Sequence, residues 1–69
     1  MKLKINLVDV NDRLPKDKYG EHFVYCEYQN GNHCSGLASF NDDKEWEFEW
    51  SDDHPESEDV RYWIEEVWS

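Results

Sequence analysis

Two cysteines and a histidine flank an Asn-Gly pair in the stretch Cys26-Glu-Tyr-Gln-Asn-Gly-Asn-His-Cys34. Thiolate and imidazole are the ligands zinc prefers, and two thiols are the raw material of a disulfide, so the stretch reads first as a metal or redox candidate. Zinc requires four ligands, and only the two cysteines are on offer, because His22 lies about 13 Å further down an extended strand at about 3.4 Å per residue. No metal and no other cofactor is therefore expected. A disulfide is disfavoured too: directly opposed Cβ atoms on neighbouring strands sit about 4.5–5.5 Å apart, against about 3.5–4.5 Å in a bridged pair. Glu27, His33 and Ser35 form a second constellation, the residue types of an acid–histidine–serine nucleophile. On an open sheet they have no oxyanion donors and nothing to exclude water, so a solvated charge pair is the expectation and catalysis is not. No glycine-rich phosphate loop is present, and the chain is expected not to be an enzyme.

What positions these groups is a hairpin, and its register decides which of them meet. With Asn30-Gly31 as a two-residue turn, Cys26 faces Ser35 and the thiols fall on opposite sides of the sheet. With Gln29-Asn30-Gly31 as a three-residue loop, Gly31 left-handed, Cys26 lies directly across from Cys34. Only the second register gathers Val24, Cys26, Tyr28, Cys34, Gly36, Ala38 and Phe40 on one face and leaves Glu27, His33, Ser35 and Ser39 on the other. Because a one-residue slip exchanges the faces, this matching favours the bulged turn. The two thiols then pack as small apolar groups, and His33 is sent away from them.

Around that hairpin, Leu3, Ile5 and Leu7 alternate with Lys2, Lys4 and Asn6, the period of a half-buried strand whose lysines suit a sheet edge. A loop containing Pro15 and Gly20 follows. Glu45-Trp46-Glu47-Phe48-Glu49-Trp50 alternates acidic and aromatic residues and predicts a further strand, with Phe40 across from Trp46, Ala38 beside Phe48 and Gly36 beside Trp50. The tail is ambiguous. Val60, Trp63, Ile64 and Val67 have helical spacing after Pro55, Glu56, Glu58 and Asp59, whereas Val60, Tyr62 and Ile64 make a strand. The fold class read from these patterns is mainly β, a small antiparallel sheet (a meander) of four to five strands; the alternative is α+β with a C-terminal helix over residues 56–68. Residues 1–69 form a single small acidic domain.

A chain of 69 residues can build one modest core, and four Trp, four Tyr and three Phe supply the area for it. Those aromatics also argue against disorder, despite 35% charged residues and a mean hydropathy of -1.07. The net charge of -10 is unevenly placed: acids and bases cancel in residues 1–41, and twelve acids face only Lys44 and Arg61 in residues 42–69. Such a field repels nucleic acid and anionic membranes, so neither is an expected direct partner. The opening MKLKINLVDV lacks the apolar run of a signal peptide and no window has the length of a membrane span, so a cytoplasmic setting with reduced thiols is expected.

Three blocks in order, Val8-Asp9-Val10-Asn11-Asp12-Arg13-Leu14-Pro15, then Phe23-Val24-Tyr25, then Asp59-Val60-Arg61-Tyr62-Trp63-Ile64, resemble the family known as domain of unknown function 551. Its short bacterial and phage proteins open on "W-I-x-V-x-D-R-L-P", continue with "V-L-V-Y" and close on "V-T-H-W-M-P-L-P". Here Leu7, Tyr62 and Glu65 stand where that pattern has Trp, His and Pro. The resemblance implies a strand through Val60 to Ile64 and a bacterial or phage-borne accessory role; it supplies no activity, cofactor or catalytic residue.

The candidate binding residues are the acids of segment 42–59: Asp42, Asp43, Glu45, Glu47, Glu49, Asp52, Asp53, Glu56, Glu58 and Asp59. The strand pattern projects Glu45, Glu47 and Glu49 from one face about 6.8 Å apart. Their expected partner is a basic protein surface, engaged in the manner of a nucleic-acid mimic or simply by charge; a solvated outer face is the plainer reading. The alternative function is a small ligand- or peptide-binding module using exposed tryptophans. Trp46 and Trp50 share a face with Phe48 and are expected in the core. On the strand reading Trp63 leaves the core side and joins Trp68 as a candidate apolar contact.

Overall fold

The structure is a computed structural model that describes residues 1–16 and 20–69. Residues 17–19, part of the loop expected between Pro15 and Gly20, lie outside it. Five strands are present: β1 (Leu3–Asp9), β2 (Glu21–Glu27), β3 (His33–Phe40), β4 (Trp46–Ser51) and β5 (Val60–Trp68), with a 3-10 turn at Ser57–Asp59 before the last. They form one antiparallel sheet in the order β1-β5-β2-β3-β4. The meander is β2–β3–β4, and β5 returns between β1 and β2. No helix among the described residues is long and apolar enough to cross a membrane.

The β2–β3 hairpin has the bulged register. Gly31 adopts φ 87 and its N–H donates to the Tyr28 carbonyl at 2.9 Å, while the Tyr28 N–H donates to the Asn32 carbonyl at 2.9 Å. Asn30 Oδ1 accepts from the Asn32 N–H at 3.0 Å, the local bond that makes Asn a turn residue. Cys26 therefore pairs directly with Cys34, and Glu27 with His33.

The tail is a strand, which removes the helix alternative over residues 56–68. The helical spacing of Val60 and Trp63 has a different origin. Tyr25 pairs with Tyr62 but Cys26 pairs with Val60, so Arg61 is an extra residue in β5 and the bulge returns Val60 to the side of Trp63. Both are buried, at 3% exposure each. Trp63 is thus in the core, not in an exposed patch with Trp68; its indole N–H donates to the Arg13 carbonyl at 2.9 Å and ties the β1–β2 connection over the inner face.

A second bulge corrects the other tryptophan expectation. Trp46 pairs with Phe40 and Phe48 with Ala38 as the alternation predicts, but Trp50 pairs with Leu37 and Ser51 with Gly36. Glu49 is the extra residue here. Trp50 consequently stands on the outer face and is 51% exposed, while Trp46 is buried.

One inner face holds the core, with contributions from every strand: Val8, Val24, Cys26, Cys34, Ala38, Trp46, Val60 and Trp63. Ala38 and Gly36 in β3 leave the room that Phe48 occupies, and a Cβ on Gly36 would come within 3.2 Å of the Phe48 ring. The alternating residues of β1 face opposite to expectation. Val8, across from Trp63, is the buried residue, and Leu3, Ile5 and Leu7 point outward at 43%, 60% and 61% exposure.

Candidate functional site

The strand order puts β4 at one edge of the sheet and β1 at the other. Residues 42–59 are β4 with its two flanking connections, so the ten candidate acids belong to one edge strand and the connections at its two ends. Lys2 and Lys4 belong to the opposite edge. All ten acids are exposed except Asp59, which is half-buried.

Several of these carboxylates also build the connections that carry them. In the β3–β4 turn, Lys44 has φ 63, and Asn41 Oδ1 accepts from the N–H groups of Asp43 and Glu45 at 3.0 Å each. Asn41 Nδ2 in turn donates to Glu47 Oε1 at 2.9 Å. Ser35 Oγ donates to Asp52 Oδ2 at 2.9 Å, and the Asp52 N–H donates to the Ser35 carbonyl at 3.0 Å, which extends the β3–β4 pairing past Ser51. Asp59 Oδ2 accepts from the Glu56 N–H at 2.8 Å and starts the 3-10 turn. That turn docks on the free edge of β4, where the Trp46 N–H donates to Ser57 Oγ at 2.7 Å.

The acids do not keep to one even ladder. Glu45 precedes the strand, Glu47 lies on the outer face opposite Ser39, and Glu49 is the bulge residue. Between the β3–β4 turn, the 3-10 turn and the β1–β2 connection opens a cleft of about 810 Å³. Trp46, Val60 and Phe40 contribute its apolar wall, and Glu45, Glu56 and Glu58 its acidic rim, with Lys44 and Arg61 alongside. Arg61 Nη1 donates to the Glu58 carbonyl at 3.0 Å, so this cation is held by the connection itself.

The first constellations of the sequence resolve into structural roles. Cys26 and Cys34 are free, buried thiols, and the Tyr28 hydroxyl donates to Cys34 Sγ at 3.4 Å. Burial, reinforced by the neighbouring Cys34, pushes the Cys26 thiol up to about 12, far from the thiolate that metal binding or exchange needs. The bond with Cys34 raises the Tyr28 phenol as well. His33 Nε2 stands 3.8 Å from Glu27 Oε2 on the outer face, but Ser35 turns to Asp52, so no acid–histidine–serine chain forms. Among the described residues, no three His, Cys, Asp or Glu side chains gather where they could hold a metal ion. His22, on the inner side, packs edge-on against Trp63 with ring centroids 5.1 Å apart.

Sequence reasoning missed the outer face. Leu7 pairs with Ile64, Phe23 with Leu37, and Leu37 with Trp50, which runs an apolar row across the strands on the side away from the core. Beside it, Tyr62 pairs with Tyr25. The available signal was the alternation of β1: a period of two marks Leu3, Ile5 and Leu7 as one face of a half-buried strand without saying which face meets the core.

No protein-family model, no curated protein and no solved structure matches the chain.

Proposed function

We propose that this protein is a non-enzymatic interaction protein whose acidic side, residues 42–59, engages a basic surface of another protein. The observation that carries the reading is the edge position of β4: the segment 42–59, with ten acids against Lys44 alone, is this edge strand and its two flanking connections, and β4 pairs with no further strand among the described residues. A one-signed surface of this kind steers a cationic partner to encounter and sets its orientation. The apolar wall of Trp46 and Val60 beside Glu45, Glu56 and Glu58 adds a place for the aliphatic stem of a lysine or arginine while its charge meets the rim.

Imitation of nucleic acid would need the flanking acids as well as the β4 glutamates. One DNA strand carries a charge about every 3.4 Å, whereas the β4 bulge at Glu49 interrupts the ladder that would copy it. A bacterial or phage-borne, cytoplasmic setting belongs to this proposal on the sequence reading alone, since no family model matches the chain.

The test is retention of basic proteins from a bacterial lysate on the immobilised chain, eluted along a salt gradient, with Glu45→Gln/Glu49→Gln/Glu58→Gln beside the wild type. Retention that falls with salt and with the substitutions is the expected result. Partners that survive high salt, or that bind the triple variant equally well, sink the reading.

A further inference from the structure

The outer face of the sheet carries more exposed apolar surface than a solvated face requires. Eight of its strand residues are large hydrophobics at 41–61% exposure, among them Leu7, Phe23, Trp50, Tyr62 and Trp68. With about 150–250 Å² per aromatic side chain, five half-exposed rings and three aliphatic residues leave on the order of 700 Å² of apolar surface. The largest patch on a typical monomer is about 300–600 Å², and one partner contributes about 800 Å² to a standard interface. The inner face buries its apolar residues in the core, whereas these eight on the outer face remain exposed.

The charges on this face indicate what covers it. Its ionisable strand residues are Asp9, Glu21, Glu27, Glu47 and Glu66, all exposed, and His33 beside Glu27; no lysine or arginine of any strand shares it. A second copy would set these five carboxylates against the same five with no base to neutralise them, and a membrane or nucleic acid would add further negative charge. The complementary occupant is apolar in the middle and cationic at its borders. We propose that the outer face is a docking surface for an amphipathic segment of another protein, its apolar side chains laid on the Leu7–Ile64–Phe23–Leu37–Trp50 row and its lysines or arginines on the bordering carboxylates. Glu47 borders both this surface and the acidic β4 side, and Trp50 belongs to β4, but the cleft and the carboxylates of Glu45, Glu49 and Glu58 are not part of it.

The experiment uses two synthetic probes of equal charge and length, an amphipathic helical peptide of Leu and Lys and a peptide of Ser and Lys, titrated into the full chain and followed by amide chemical shifts. The Leu/Lys peptide is expected to shift Leu7, Phe23, Leu37, Trp50 and Ile64, and to bind at least about tenfold more tightly than the Ser/Lys peptide. Phe23→Ser/Trp50→Ser, both exposed positions, should abolish that tenfold preference, and Glu45→Gln/Glu49→Gln/Glu58→Gln should leave it intact. Equal binding of the two peptides, or shifts confined to the cleft, overturns the proposal. So does sedimentation of the peptide-free chain as a dimer that Phe23→Ser/Trp50→Ser dissolves, which would make a second copy the occupant. Failure of the acidic-side reading appears separately, as indifference of Ser/Lys binding to the glutamate substitutions.

Discussion

Trp50 stands directly across from Leu37, one position away from the Gly36 that strict alternation assigns to it. The displacement is paired with a close approach: a Cβ on Gly36 would lie 2.6 Å from the Trp50 carbonyl oxygen and 3.0 Å from Ser51 Cβ. The bulge, the missing side chain at Gly36 and the outward indole are one arrangement.

Gly36→Ala is expected to destabilise the fold by about 1–3 kcal/mol, because backbone and not a flexible side chain must yield to the added carbon. Urea denaturation measures the loss. Trp50, being coupled to the bulge, should change its fluorescence in the folded variant, and an unchanged stability would show that β4 can slide without cost.

The two exposed and two buried tryptophans should separate cleanly. Trp50→Ser is expected to cost about 1–2 kcal/mol, for the covered half of its ring, whereas Trp46→Ser should cost about 3–5 kcal/mol or prevent folding. Thermal melts of the two variants check the ranking, and a comparable cost for both would contradict the outward position of Trp50.

Trp63→Phe keeps most of the ring but deletes the donor to the Arg13 carbonyl. A loss of about 1–3 kcal/mol is expected, with faster amide exchange in residues 10–16 than in the β2–β3 hairpin. Uniform exchange changes throughout the chain would argue that the bond does not anchor that connection.

At the alkaline end, Cys26 binds its proton more tightly when folded than at its ordinary value of 9.0. Its contribution is complete below pH 9.0 and is lost as pH rises through about 12, since the unfolded thiol ionises first. Stability should therefore decline above pH 9 more steeply in the wild type than in Cys26→Ala. An aromatic disulfide reagent at neutral pH should label Cys26 only after denaturation; rapid labelling of the native chain would be the contrary result.

At the acid end, Glu65 behaves in the opposite sense. The hydrogen bond from Asn6 Nδ2 at 3.1 Å, and then that from the Arg13 guanidinium, hold its carboxyl below the ordinary 4.5. Its stabilisation is present above pH 4.5 and is lost as the pH falls through the lowered folded value. Glu65→Gln should flatten the acid limb of a stability–pH curve, and superimposable limbs would refute the role.

Much of this molecule is written locally. Asn30-Gly31 and the face matching around it determine the β2–β3 register, because turn type and side-chain period act over a few residues and agree. The alternation of Trp46 and Phe48 marks a strand, and the placement of Lys, Asp and Glu along the chain determines that one segment carries the surplus charge. What local pattern could not settle is which side of each strand meets the core. β1 offers Leu3, Ile5 and Leu7 on one side and Val8 on the other, and the choice falls to Val8 because its β5 partner is Trp63, whose ring occupies the interior. The two bulges, at Arg61 and Glu49, each add a residue and reverse the faces beyond it, burying Trp63 and exposing Trp50. A bulge is set by how the paired strands pack and leaves no periodic trace of its own, and the outer aromatic face is completed only once β5 has entered between β1 and β2, adding Tyr62 and Ile64 to Phe23, Leu37 and Trp50.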